Sequence, residues 1–134
     1  MKLYWGSGSP VSWRVQIALA LKGTPYTSHR LDLGAREHRG EAYRNINPKG
    51  TFPVLTDGEL VVRESIAILA YLERKYPKPA LFGDVPSQHA TIWQQVIEHD
   101  KGLAADADII TRALFRDGGL DNGVEATCEA VKRA

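Results

Sequence analysis

The sequence predicts an α/β domain with the element order β-α-β-α-β-β-α and a mixed four-stranded sheet, followed by part of an all-α domain. Strand and helix periodicities alternate over residues 1–77, and the last two strand patterns flank Asp57-Gly58, a hairpin signal. A segment rich in proline, 78–86, then precedes a long helical pattern, from about Ser87 to about Phe115. We therefore expect a first domain at 1–77, a linker at 78–86, and an incomplete helical domain at 87–134, since one long helix and part of another cannot close a bundle.

The first helix has the clearest boundaries. Lys2 to Trp5 is typical of a short strand, which the glycines at 6 and 8 end. Ser9-Pro10 then supplies an N-cap and a proline at the first helical position, and Gly23 ends the helix. Tyr26 to Leu33 alternates apolar and polar residues and predicts a second strand, parallel to the first because a helix joins them.

The remaining elements of the first domain are shorter. Glu37 to Asn45 is predicted to be a short polar helix. Val54 to Thr56 and Leu60 to Arg63 form an antiparallel hairpin, for which Asp57-Gly58 predicts a type I′ turn. Ser65 to Tyr76 is predicted to be a helix that the following proline ends.

Composition and charge exclude several kinds of partner. The 134 residues carry 17 Lys and Arg against 16 Asp and Glu, a formal charge of +1, so neither nucleic acid nor an anionic membrane is expected as a partner. The single cysteine, Cys128, cannot form a disulfide framework or a thiolate metal cluster, and we expect no metal. The N-terminus lacks a signal-peptide pattern, and the longest apolar run, Ile66 to Leu72, is too short to span a bilayer. We therefore expect a cytoplasmic protein.

The most informative segment for function is Asn47 to Leu55, together with Glu64-Ser65. Pro53 opens a strand and cannot donate to a ladder, but the backbone N–H and C=O of its neighbour Phe52 can face outward and pair with an extended, peptide-like ligand. Ser65 begins a helix, where a hydroxyl and free amides can bind a carboxylate. These residues predict a site for a small peptide with a free carboxylate.

This order of segments resembles the glutathione S-transferase superfamily over residues 3 to about 115. The matching pieces are Ser9 to Val15, Asn47-Pro48, Phe52 to Leu55, Asp57-Gly58, Glu64-Ser65 and Tyr71 to Pro77. The resemblance implies a thioredoxin-like first domain, glutathione as co-substrate, a helical second domain, a homodimer, and attack of the glutathione thiolate on a small electrophile. It also implies a cis Phe52-Pro53 bond, although the residues alone favour trans.

Ser9 is the predicted thiolate stabiliser, with Ser12 as the alternative. A free thiol has a pKa near ~8.5, and lowering it by ~2 units requires about 2.7 kcal/mol of preference for the anion. A hydrogen bond from a hydroxyl to the charged sulfur contributes roughly 1.5–3 kcal/mol, and a helix N-terminus about 0.3–1 kcal/mol. Ser9 can supply both, and the resemblance places the role there; the other interpretation of Ser9 is a simple N-cap.

The resemblance also implies which residues contact each part of glutathione. The backbone of Phe52 would pair with the cysteinyl part, Glu64 with the γ-glutamyl ammonium, and Ser65 with the γ-glutamyl carboxylate. Lys49 and Thr51 would reach the glycyl carboxylate. The alternatives are a capping Ser65 after an exposed acid, and solvated loop positions for Lys49 and Thr51.

Two departures from related patterns matter. The first turn of the first helix has no cysteine, so disulfide exchange is excluded. Zeta-class isomerases, which the chain also resembles, carry Arg-Ser-Ser-Cys where this chain has Gly8-Ser9-Pro10-Val11, which argues against maleylacetoacetate isomerisation. The leading hypothesis is a glutathione S-transferase; the alternatives are a non-catalytic binding or regulatory relative and a glutathione-dependent isomerase or dehalogenase.

Overall fold

The computed structural model describes residues 1–101. Its strands are Lys2–Trp5 (β1), Thr27–Arg30 (β2), Val54–Asp57 (β3) and Leu60–Arg63 (β4); its α-helices are Pro10–Leu21 (α1), Glu41–Ile46 (α2), Ser65–Lys75 (α3) and Pro86–Lys101 (α4). The sheet order is β2-β1-β3-β4. β1 runs parallel to β2 and antiparallel to β3, and β3 runs antiparallel to β4. The predicted mixed four-stranded sheet and its element order are confirmed.

The sheet has apolar side chains on both faces. Tyr4 and Val54 are register partners on β1 and β3, and both pack with Tyr43 of α2. The neighbouring residues Leu3 and Leu55 point to the opposite face and are fully buried. There α1 and α3 pack against each other and supply further buried residues, Val15, Leu19, Ile68 and Leu72. Helices therefore cover both faces.

The boundaries of α1 follow from local chemistry. Ser9 is the N-cap and its side chain accepts a hydrogen bond from the amide of Ser12, while Pro10 is the first helical residue. Gly23 follows the helix with φ +59°, a backbone conformation that favours glycine. These predictions are confirmed.

Two elements differ from their predicted extents. The predicted helix from Glu37 to Asn45 is a single 3₁₀ turn, Glu37–Arg39, followed by α2, because Gly40 between them adopts an extended conformation with φ −68° and ψ 154°. Glycine weakens a helix interior, which is where the prediction placed it. β2 is shorter than predicted: it pairs with β1 only from Thr27 to Arg30, since β1 has four residues.

The hairpin forms where predicted, but its turn is different. Asp57 pairs with Leu60, so the two loop residues are Gly58 and Glu59 rather than Asp57 and Gly58. Only Gly58 has a positive φ, +59°, whereas a type I′ turn requires positive φ at both central residues. Asp57 stays in the strand, and its carboxylate accepts hydrogen bonds from Tyr71 and Lys75 of α3.

The chain divides into two compact units, of which the first is Met1–Leu81 and the second begins at Phe82. In the second unit, Phe82 stacks on Trp93 of α4 with ring centroids 4.8 Å apart. The long helix was predicted to continue to about Phe115, and that continuation lies outside the described residues. The same holds for Cys128 and for the rest of the predicted domain at 87–134. Among the helices of residues 1–101, none combines the length and apolar character needed to cross a membrane.

Candidate functional site

The loop between α2 and β3 is folded around one buried amide side chain. Asn47 has no solvent exposure. Its Nδ2 donates to the carbonyl oxygen of Thr51 at 2.7 Å and to Oγ1 of Thr51 at 3.0 Å. Its Oδ1 accepts from the amide of Lys49 at 3.3 Å, and its carbonyl accepts from the amide of Gly50 at 2.8 Å. These bonds satisfy the buried polar groups of Asn47 and hold the loop in one conformation.

The same Thr51 carbonyl has a second donor. The hydroxyl of Tyr43, from α2, donates to it at 2.7 Å. Burial raises the pKa of Tyr43 to about 12, so this hydroxyl keeps its proton at neutral pH. Two protein donors therefore converge on one carbonyl immediately before Phe52.

Phe52 presents free backbone groups. The Phe52-Pro53 bond is cis, as the resemblance implied. The Phe52 ring packs edge-on against His38, with centroids 5.9 Å apart, and so close to Gly6 that a Cβ there would lie 2.3 Å from the ring. Within residues 1–101, neither the amide nor the carbonyl of Phe52 makes a hydrogen bond. Both are available to an extended ligand.

The start of α3 is contacted by a cation and preceded by a residue with a strained backbone. Ser65 is its first residue and is 8% exposed, and Nη1 of Arg14, from α1, donates to its hydroxyl at 3.3 Å. The guanidinium and the helix N-terminus both favour an anion at this position. Glu64 precedes Ser65 with φ 68° and ψ 123°, a conformation that costs roughly 1–3 kcal/mol for a residue other than glycine. Such strain is found mainly at functional sites.

Lys49 and Glu64 form an ion pair across the candidate site. The Lys49 ammonium lies 3.2 Å from the Glu64 carboxylate, and the two side chains are 70% and 68% exposed. An ion pair this exposed contributes about 0–1 kcal/mol to stability. Ligand charges can therefore replace it at low cost.

Ser9 has a hydroxyl proton to give. Its oxygen accepts the amide of Ser12 at 3.3 Å, while its own proton has no acceptor within residues 1–101. Ser9 is half-buried, so a ligand can reach it. The alternative residue, Ser12, is fully buried, and its Oγ has no hydrogen-bond partner among the described residues.

Two contacts connect the segment around Ser9 with Phe52 and Ser65. Arg14, five residues after Ser9, reaches Ser65, and Gly6, three residues before Ser9, lies against Phe52. In the part of the chain that the structure describes, no direct bond joins Ser9 to Phe52 or Ser65. Also within residues 1–101, no group of three His, Cys, Asp or Glu side chains could hold a metal ion.

Four residues of this candidate site have no role in the sequence-based prediction: Gly6, Arg14, Tyr43 and Asn47. Two of them carried a signal. Arg14 is a cation in a helix that is otherwise mostly apolar, and Asn47-Pro48 opens the segment from Asn47 to Leu55 that predicts a peptide site. The contacts of Gly6 and Tyr43 join residues from separate elements, so nothing in the local sequence pointed to them.

Comparison with known proteins identifies the family. The family model of the glutathione S-transferase N-terminal domain matches residues 3–80. Maleylacetoacetate isomerase of Pseudomonas aeruginosa is 47% identical over 109 residues, covering 78% of this chain and 47% of that protein. Glutathione S-transferase Z2 of Arabidopsis thaliana is 42% identical over 116 residues, covering 87% of this chain and 51% of that protein.

A solved structure is also similar. A glutathione transferase from Phanerochaete chrysosporium, in complex with oxidized glutathione, superposes with a TM-score of 0.82 at 28% sequence identity, covering 98% of this chain and 63% of that chain. This chain spans about half the length of the curated relatives it matches. The thioredoxin-like fold that the resemblance implied is confirmed. From the family match over residues 3–80, the chain belongs to the glutathione S-transferase family.

Proposed function

We propose that this chain binds glutathione and that Ser9 keeps the glutathione thiol as a thiolate for attack on a small electrophile. The observation that carries the proposal is that the amide and the carbonyl of Phe52 make no hydrogen bond within the described part of the chain. An extended peptide pairs with such groups as an added strand pairs with a sheet edge, and the cysteinyl unit of glutathione offers the matching carbonyl and amide. The similar structure from Phanerochaete chrysosporium, which holds oxidized glutathione, supports this assignment.

The two charged ends of glutathione match the charges around Phe52. The γ-glutamyl carboxylate would bind the hydroxyl and amide of Ser65, with the Arg14 guanidinium nearby. The γ-glutamyl ammonium would pair with Glu64. Lys49, released from its exposed pair with Glu64, would reach the glycyl carboxylate together with Thr51.

The hydrogen bonding of Ser9 suits a thiolate better than a thiol. Its oxygen accepts the Ser12 amide, and its proton stays available to donate to a thiolate, which accepts a stronger hydrogen bond than a thiol does. Donation to a charged sulfur contributes roughly 1.5–3 kcal/mol, which covers most of the ~2.7 kcal/mol that a pKa shift of ~2 units requires. The burial of Ser12 favours Ser9 over that alternative.

Binding and thiol titration test the proposal. Calorimetry should show that wild type binds glutathione. The ultraviolet absorbance of the thiolate should give bound glutathione a lower thiol pKa than free glutathione has. In Ser9→Ala the thiol pKa should rise by about 1–2 units, whereas affinity for S-methylglutathione, which has no ionisable thiol, should stay near wild type. Absence of binding to wild type would refute the proposed function. An unchanged thiol pKa in Ser9→Ala would remove the role of Ser9, and a rise in Ser12→Ala instead would transfer that role to Ser12.

A glutathione-dependent isomerase is the second candidate, and the relatives favour it. The similar proteins include the maleylacetoacetate isomerase of Pseudomonas aeruginosa and a maleylpyruvate isomerase of Ralstonia sp., which is 46% identical over 83 residues. The Gly8-Ser9-Pro10-Val11 turn argues against it. An assay with maleylacetoacetate separates the two activities, because isomerisation returns glutathione and conjugation consumes it.

A non-catalytic glutathione-binding role is the third candidate. It predicts glutathione binding without a lowered thiol pKa and without turnover of any electrophile. A lowered thiol pKa in the titration would therefore argue against this role, and an unchanged thiol pKa would support it. As the family resemblance implies, we also propose a homodimer in the cytoplasm. Sedimentation equilibrium of the purified chain checks the dimer, and cell fractionation checks the location.

A further inference from the structure

One peptide group joins the buried loop to the candidate ligand contact. The carbonyl of Thr51 and the amide of Phe52 belong to the same peptide bond, which is trans. In a planar trans peptide the C=O and N–H point in opposite directions. Groups that hold the Thr51 carbonyl therefore also determine where the Phe52 N–H points.

We propose that Tyr43 and Asn47 are positioning residues that aim the Phe52 amide at the cysteinyl carbonyl of glutathione. They do so from the far side of the Thr51–Phe52 peptide and touch no ligand atom themselves. This inference rests on the proposed function, because it assumes that glutathione is the ligand of the Phe52 amide.

The two donors are held by burial and by further contacts. Tyr43 is 3% exposed, and its ring packs edge-on against Tyr4 with centroids 5.8 Å apart. Asn47 is fully buried, and its Oδ1 accepts the amide of Lys49, which leaves Nδ2 as the end that donates to Thr51. Neither donor can rotate away without leaving a buried polar group unpaired. The orientation of the Thr51–Phe52 peptide is thereby set before a ligand arrives.

The two bonds also strengthen the donor. A carbonyl that accepts hydrogen bonds polarises its peptide group, so the N–H at the other end becomes a better donor. The 2.7 Å bond from Asn47 is at the short end of the range for N–H···O bonds, and the 2.7 Å bond from Tyr43 has the usual O–H···O distance. Losing one of them should weaken the ligand contact and leave the rest of the fold in place.

The first test uses Tyr43→Phe, which removes only the hydroxyl, with Tyr71→Phe as the matched control. Tyr71 also donates a hydroxyl hydrogen bond, to Asp57 in the hairpin, away from this loop. We expect glutathione to bind Tyr43→Phe roughly 3- to 10-fold more weakly by calorimetry, and Tyr71→Phe as wild type does. Equal affinity in all three proteins would overturn the proposal. If Tyr43→Phe does not fold, Asn47→Ala gives the same comparison.

A ligand variant separates positioning from a general loosening of the site. The probe is a glutathione analogue in which a methylene replaces the cysteinyl carbonyl, so that the Phe52 amide has no acceptor. Tyr43→Phe and wild type should bind this analogue with equal affinity. A loss of the same size for glutathione and for the analogue would mean that Tyr43 serves only the structure of the loop, and the inference would be wrong.

A third measurement needs no ligand. In wild type without ligand, the ¹H–¹⁵N resonance of the Phe52 amide reports its polarisation and orientation. It should move upfield in Tyr43→Phe and stay in place in Tyr71→Phe. Failure of wild type to bind glutathione would refute the proposed function alone, while an unmoved Phe52 resonance would refute the positioning role alone.

Discussion

The ammonium of Lys22 lies 2.7 Å from the carboxylate of Glu73, and the Lys22 side chain has no solvent exposure. The same ammonium donates to the carbonyls of Tyr76 at 2.6 Å and Pro79 at 2.9 Å. Three acceptors satisfy the three donors of the buried cation. Lys22 therefore joins the end of α1 to the end of α3 and the segment after it.

Replacing this lysine should destabilise the domain strongly. Lys22→Met removes the partner of a largely buried carboxylate, a change that costs about 3–5 kcal/mol. We expect about 3 kcal/mol, because Glu73 keeps the hydrogen bond that it accepts from the amide of Leu81 at 2.9 Å. Urea denaturation measures this loss in the free energy of unfolding. Lys2→Met, which removes a cation over the ring of Tyr4, should cost under about 1 kcal/mol. Equal losses in the two variants would contradict this.

Relieving the strain at Glu64 should raise stability and lower affinity. Glu64→Gly removes roughly 1–3 kcal/mol of backbone strain and adds about 0.5–1 kcal/mol of unfolded-state entropy, so a net gain of about 1 kcal/mol is expected. Glutathione affinity should fall up to roughly 5-fold, since an exposed charge contact is lost. The matched control is Arg36→Gly, at φ 55°, which should gain stability with no change in affinity. Thermal unfolding and calorimetry provide both readings, and a destabilised Glu64→Gly would refute the strain.

Enlarging Gly6 should disturb Phe52. A Cβ at Gly6 would lie 2.3 Å from the Phe52 ring, so Gly6→Ala must displace that ring, and we expect the displacement to reach the Phe52 backbone. We expect a loss of about 1–3 kcal/mol in stability and at least roughly 10-fold in glutathione affinity. At Gly34 an added Cβ would come no closer than 3.3 Å to the Asp32 carboxylate, so Gly34→Ala is the control and should bind normally. Normal binding by Gly6→Ala would show that the Phe52 ring position does not matter.

The hairpin should lose stability in acid through Asp57. Hydrogen bonds from Lys75, and then from Tyr71, hold the pKa of Asp57 below its ordinary value of 3.8. The unfolded state therefore binds the Asp57 proton more readily than the folded state does. The stabilisation is complete above about pH 3.8 and is lost as the pH falls through the lower folded pKa.

Denaturation of wild type and Asp57→Asn at a series of pH values checks this. The two proteins should differ in stability at neutral pH, and the difference should shrink steadily as the pH falls below about 4. Glu59→Gln, which changes an exposed carboxylate of the same turn, should follow wild type throughout. A difference between wild type and Asp57→Asn that stays constant with pH would be inconsistent with a lowered pKa at Asp57.

Local signals were enough to predict most elements and the segments of the site. The Ser9-Pro10 start of α1 and its end before Gly23 depend on caps and backbone preferences within a few residues. Two predictions were wrong in detail. The predicted helix is divided at Gly40, and the hairpin turn is centred one residue later than predicted. Gly40 lies inside the predicted helix and divides it by adopting an extended conformation, whereas Asp57 stays in its strand, where its carboxylate bonds to Tyr71 and Lys75 of α3.

The sequence by itself determined the order of strands and helices, the opening turn that carries Ser9, and the loop and helix start that carry Phe52 and Ser65. Only the tertiary structure decided which groups support them. Arg14 and Ser65 are 51 residues apart, and so are Lys22 and Glu73. Such pairs form because packing removes water from both partners and leaves each as the available hydrogen-bonding group of the other. The spacing of two residues along the chain does not indicate whether folding will bury them together.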